Sequence, residues 1–260
     1  MAARSIWKGV IGFGDLSVPV KLYAAVEEKR VHFRLLHEKD QTPVRQEMVN
    51  PETGAVVPSE EIRHGYETDD GRMVVLTDRE LDSLEPEPSR AIDIIAFLPD
   101  SAVDHRWYDR PYFLGPDDDP DTYSALAAAL DSSGLVGLAR WTMRNKEYFG
   151  VLRLQGGYPV MITLRYEEEV VSLSELEIPS GREVERKELA MAEQLVDAMA
   201  DTFDLSAYHD EYRERVMELI AAKAEGKVVE LRKAAPKKAG GDLKKALEAS
   251  VRAARERKSA

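Results

Sequence analysis

Arg4-Ser-Ile-Trp-Lys-Gly-Val-Ile-Gly-Phe-Gly14, followed by Ser17-Val-Pro-Val-Lys-Leu-Tyr23, decides how this chain folds. Both stretches alternate with a period of two, which is the signature of half-buried strands. In the first, Trp7, Ile11 and Phe13 fall on one face and Arg4, Ile6, Lys8 and Val10 on the other. In the second, Pro19 indicates a sheet edge or a strand entry. The glycines have the spacing of neither a dinucleotide fingerprint nor a Walker loop, and no helix follows them. They read as bends of a curved strand. Val31, Phe33 and Leu35 then share the inward face of an expected third strand.

Working outward, residues 39–77 are polar and punctuated by turn formers such as Asn50-Pro-Glu-Thr-Gly54 and Asp69-Asp-Gly71. Strand-like pieces at Val44–Val49, Ile62–Thr68 and Met73–Leu76 lie between them. This is an extended arm of hairpins, too poor in apolar residues for a core of its own. Thr77-Asp-Arg-Glu80 opens a short helix as a capping box. Ala91–Leu98 is expected as a buried strand and Trp107–Leu114 as an aromatic one. A helix at Thr122–Leu130 ends at Gly134. Leu135–Arg144, Tyr148–Leu154 and Tyr158–Tyr166 follow as an antiparallel meander. From Glu185 the period becomes helical. Leu189, Ala192, Leu195, Met199 and Phe203 form one stripe, and Tyr208, Tyr212, Val216 and Leu219 another, with Asp204 or Ser206 as the second cap. Residues 235–241 are a linker, and Leu243, Leu247 and Val251 mark a last short helix.

The 260 residues carry a formal net charge of −12, unevenly spread. Residues 227–260 hold 11 Lys and Arg against 4 Asp and Glu, so the remainder is strongly acidic. A basic tail on an acidic body either meets an anion such as nucleic acid or keeps a disordered end soluble. No apolar run is long enough to span a bilayer, and the N-terminus has no signal-type stretch. With no cysteine, disulfides and thiolate sites are excluded, and the expected location is the cytoplasm.

Catalytic chemistry is hard to find. Asp117, Asp118, Asp119 and Asp121 lack the alternation of a calcium loop and suit a helix start. The five histidines have no metal-ligand spacing, and no serine sits in a nucleophile elbow. No enzyme activity, cofactor or metal is expected. The positive signal is a set of cations among aromatics and glycines: Arg4, Lys8, Lys21 and Arg34 on the first strands, Arg45, Arg63 and Arg72 on the arm, and Arg140, Arg144 and Lys146 later. Each is either an ordinary surface charge or a phosphate contact that reads no base. Strand alternation aims Arg140 and Arg144 the same way.

The opening blocks, together with Val31–Asp40, His64-Gly-Tyr-Glu67, Val74–Asp78, Tyr112–Asp117, Glu188–Leu195, Tyr208–Arg213 and Glu218–Gly226, resemble the bacterial Ku family in order over about residues 3–228. The resemblance implies an α+β, mainly β fold: a β-barrel core, an extended hairpin arm and C-terminal helices. It implies a homodimer whose arms close a ring over the ends of broken double-stranded DNA, associated with the nucleoid. It further implies recruitment of a multifunctional ATP-dependent ligase for non-homologous end joining. The core would span 1–184 with the arm at 38–77. The helices of 185–228 would clasp the partner through Leu195, Met199, Phe203, Tyr208, Tyr212 and Val216. The tail of 229–260 would dock the ligase through Leu243, Leu247 and Val251. Many relatives carry a Cys-x-x-Cys pair in the arm. Asn50-Pro-Glu-Thr53 stands there instead, so no zinc is expected and the turn should be held by its own hydrogen bonds. A hydrolase or transferase built on a β-barrel and a pure protein-interaction scaffold remain as rivals.

Overall fold

The computed structural model describes residues 4–176, 179, 181, 183–200 and 203–226. The chain divides into two units, Met1–Lys29 with Phe33–Glu175, and Arg30–His32 with Leu176–Ala260. In the first, Trp7–Phe13 (β1) turns into Leu16–Ala24 (β2) as an antiparallel hairpin, with Trp7 opposite Leu22 and Phe13 opposite Leu16. The alternation holds. Ile11, Val18, Val20 and Leu22 are fully buried, and Trp7 and Phe13 pack against their cluster.

After β2 the chain leaves the sheet, and no residue between Leu22 and Ile92 is buried. His64–Glu67 (β3) and Met73–Leu76 (β4) pair as a hairpin, and single bridges join Leu36 to Pro43 and Val49 to Val56. The expected third strand does not form. Phe33 and Leu35 are 67 % and 63 % exposed, because no sheet face lies beneath them. Val44–Val49 likewise makes only the Val49 bridge. The Asn50 turn is self-supporting: the Asn50 side chain accepts from the Glu52 and Thr53 amides at 2.9 and 3.3 Å, and Gly54 is left-handed. Asp78–Asp82 (α1) has the expected reciprocal capping box between Thr77 and Glu80.

The remaining elements are Ala91–Pro99 (β5), Tyr108–Pro116 (β6), Pro120–Ser133 (α2), Leu135–Met143 (β7), Lys146–Gln155 (β8) and Tyr158–Leu164 (β9). The strands close a barrel in the order β1-β2-β6-β9-β8-β7-β5. A closed ring with an odd number of strands cannot be antiparallel throughout. The single parallel seam joins β1 to β5 through Val10–Ala91, Ile11–Ile92 and Gly12–Asp93. β5 is covered on one face only, not buried throughout as expected: Ile92 is buried, whereas Asp93, Ile95 and Phe97 alternate outward and are exposed, with a bulge between Ile94 and Ala96. Nor is Pro19 at an edge, since β2 is paired on both sides. Its carbonyl accepts from the Asp117 amide at 3.1 Å, beyond the last β2–β6 pair, so its imide nitrogen faces a place where no ladder bond is required.

Asp119 caps α2, Pro120 opens it, and left-handed Gly134 ends it. Leu126 and Leu130 join the barrel's core, and the Tyr123 hydroxyl donates to the Leu114 carbonyl at 2.8 Å. The helix touches β2, β6, β7 and β8, strands from opposite walls, so it lies across one mouth of the barrel. β6 ends and β7 begins at that mouth. Their antiparallel neighbours β2 and β5 therefore end and begin at the other, where both roots of the excursion lie.

In the second unit, Arg186–Met199 (α3) is opened by a Glu185–Glu188 capping box. Glu211–Ala224 (α4) is capped by Asp210, not by Asp204 or Ser206. Asp204 instead caps a short turn at Leu205–Ala207. Tyr208 thus precedes the helix that its spacing with Tyr212 and Val216 suggested. The tail helix lies outside the described residues.

Gly150 tests the packing. A Cβ there would stand 2.5 Å from the Ile162 carbonyl and 2.9 Å from the Trp141 ring, whereas one at Gly12 would meet nothing. Gly150→Ala should cost about 1–3 kcal/mol in urea unfolding, and Gly12→Ala should stay within about 0.5 kcal/mol of the parent.

Candidate nucleic-acid interface

The expected cations do not form one patch, and many are already neutralised. Lys8 and Lys21 stand directly opposite each other on β1 and β2, a like-charge pair that is unfavourable by itself. Asp117, just past β6, takes both: one carboxylate oxygen lies 2.9 Å from Lys8 Nζ and 2.7 Å from Lys21 Nζ. The Lys21 and Lys8 hydrogen bonds hold the Asp117 carboxyl below the usual carboxylate range, and the Asp117 bond raises the Lys21 pKa. Asp117, read from the sequence as part of a helix start, is therefore a bridge, and the cap is Asp119.

On the excursion, Arg45 pairs with Glu47 at 2.8 Å and Arg72 with Asp70 at 2.7 Å. Arg63 donates to the Glu60 and Ile62 carbonyls at 2.6 and 2.7 Å. Arg34 is exposed on irregular chain rather than on a strand. On the barrel, Arg140 points outward with Asp93 and Phe149 as its cross-strand neighbours. The shared face expected for Arg140 and Arg144 is not found. β7 ends at Met143, and Arg144 and Asn145 form the turn to β8 with φ of 52° and 60°. Both residues are left-handed, as a two-residue hairpin turn that follows the sheet twist requires. Lys146 opens β8 with its ammonium 5.7 Å from the centre of the Tyr148 ring, and Arg4 is exposed ahead of β1.

The turn brings Arg144 to the mouth where the excursion is rooted, and there it meets a cation the sequence reading passed over. Arg90 follows Glu85-Pro-Glu-Pro-Ser89, a loop without periodicity, so nothing in the local pattern marked it. It lines one cleft with Arg144, Trp7, Ser89, Thr142 and Asn145. Among the described residues no three His, Asp or Glu side chains gather as metal ligands.

A barrel, a long unburied excursion from one mouth and a helical end are the parts the resemblance implied, and comparison with known proteins agrees. The family model described as the Ku70/Ku80 beta-barrel domain matches residues 12–191. The chain belongs to the Ku family. It is 36 % identical to the Non-homologous end joining protein Ku 2 of Geotalea uraniireducens, covering 89 % of this chain and 90 % of that one. It is 36 % identical to the Non-homologous end joining protein Ku of Bacillus subtilis over 95 % of this chain and 81 % of the relative. The protein of that name from Mycobacterium tuberculosis H37Rv is 38 % identical over 86 % and 84 %. The matched residues take in most of the closed seven-stranded barrel described above.

The Asp117 bridge has a pH signature. Its folded pKa is depressed, so its stabilisation is present above the unfolded carboxylate value and is lost as pH falls through the folded one. Asp117→Asn should melt below the parent at pH 7, and the gap between the two melting temperatures should close as pH falls below the ordinary aspartate range. A constant gap at all pH values would show that the bridge is not electrostatic.

Proposed function

We propose that this chain binds the ends of double-stranded DNA without regard to sequence, as a ring-shaped homodimer acting in non-homologous end joining. The names of its relatives support the end-joining role. The observation that carries the ring is the excursion. It leaves and re-enters at one mouth, buries no side chain, and exposes Met48, Tyr66, Met73 and Val75 beside Phe33 and Leu35. Apolar surface on that scale in a segment without a core calls for a partner surface. A second copy supplies it, arm to arm, with residues 38–77 closing the ring. The helical end supports the same reading. Met199, Phe203, Tyr208 and Tyr212 are exposed, Leu195 and Val216 are only half-covered, and the Phe203 and Tyr208 rings stack at 6.2 Å. These residues form the clasp.

The α2 end carries Asp117, Asp118, Asp119, Asp121 and Asp131. At the arm mouth Lys146 stands among Asp109, Glu147 and Glu169, so phosphate contacts there fall to Arg90 and Arg144, whose cleft no carboxylate lines. Contacts limited to phosphates make binding strong, salt-sensitive and indifferent to sequence. Arg4, Arg34, Arg140 and Arg144 have no ion-pair partner among the described residues and are the first choices for such contacts. Lys8 and Lys21 reach phosphate only by leaving Asp117, and Arg45 and Arg72 only by leaving their acidic neighbours. The tail, with Leu243, Leu247 and Val251, recruits the ATP-dependent ligase.

Linear duplex should bind tightly and a closed circle of the same sequence much more weakly. With on the order of 6 phosphates engaged, log K should fall against log salt with a slope near −5. Equal affinity for line and circle would end the threading account. Removing residues 230–260 should impair ligase stimulation while leaving dimerisation intact. Undiminished stimulation by the truncated chain would exclude the tail as the docking segment.

A further inference from the structure

We propose that the cleft at the root of the arm is a clamp in which Arg90 and Arg144 hold one DNA backbone phosphate between them, an assignment that rests on the DNA-binding reading above. Arg90 and Arg144 both line the cleft, no acidic residue does, and neither arginine has an ion-pair partner among the described residues. That separates them from Lys8, Lys21, Arg45 and Arg72, whose charge is already spent on acidic neighbours. Ser89, Thr142 and Asn145 add hydroxyl and amide groups, and the half-buried Trp7 ring forms an apolar wall. Arginine forks with neutral donors and a flat wall match the geometry of a phosphate diester.

The backbone beneath both arginines is fixed in advance. The Arg90 carbonyl accepts from the Val10 amide at 2.8 Å, and the Ser89 hydroxyl accepts from the Ala91 amide at 3.0 Å. Arg90 is thus pinned at the parallel seam that closes the barrel. Trp7 is held flat across Gly9, where any Cβ would overlap its ring. Arg144 stands at φ 52°, a conformation that asparagine and glycine accept with least strain and arginine does not. The clamp also sits at the mouth from which the arm departs, so a phosphate seated there registers the duplex against the arm's root.

The test uses the full-length chain and one linear duplex, comparing the parent with Arg90→Gln, Arg144→Asn and the double variant. Asparagine suits the left-handed turn, so Arg144→Asn should melt no lower than the parent while binding about tenfold more weakly on every sequence. Arg90→Gln should lose a similar factor. Because both hold one phosphate, the double variant should lose far less than the hundredfold of independent contacts. Its salt slope should be shallower by about 0.9, the value for a single phosphate. Multiplicative losses with a slope change near 1.8, or unchanged affinity in either single variant, would overturn the clamp. An affinity loss that tracks a lowered melting temperature would make Arg144 structural and overturn it too. Failure of the parent chain to bind the duplex at all would instead defeat the DNA-binding reading, and the clamp with it.

Discussion

Closing seven strands into a barrel forces one parallel pair, and the rest of the molecule depends on that seam. Antiparallel neighbours are joined by tight turns, as β1–β2, β7–β8 and β8–β9 are here. A parallel pair cannot be. β1 and β5 start at the same mouth, so the chain must leave that mouth after β2 and return to it before β5. This chain uses the obligatory crossover for an excursion without a core instead of folding a helix back over the sheet. Three residue pairs hold the seam, with Ile11 and Ile92 fully buried at its centre, so closure of the core and fixation of both arm roots are one event.

The cost of that solution is a long segment with no interior. Its local order comes from short-range devices: the Asn50 turn, the Thr77–Glu80 capping box, and the β3–β4 hairpin with its Thr68–Arg72 turn. Such devices set shape but contribute little stability without buried area. The apolar side chains of the arm stay exposed in the single chain, and the proposed dimer would cover them.

Barrel strands were legible because their alternation is a property of each strand alone. Trp7, Ile11 and Phe13 packed as their spacing said, and the 135–164 meander formed with turn positions shifted by about one residue. Phe33 and Leu35 alternate just as well, yet face solvent. Periodicity reports what a residue is suited to cover, not whether its own chain provides the partner. Charged positions were the least legible. Lys8, Lys21 and Asp117 meet across 96 residues or more of sequence, and Arg90 meets Arg144 only because a seam and a turn share a mouth. Arg144 leaves the strand face because the left-handed turn begins at Arg144 itself rather than after it.

The central claim is that the arm is built for a second copy of this chain. Sedimentation velocity of the full-length protein at micromolar concentration, without DNA, tests it most directly. A single boundary at twice the 29.2 kDa chain mass is the expected result. A boundary at the mass of one chain, unchanged as concentration rises, would contradict it.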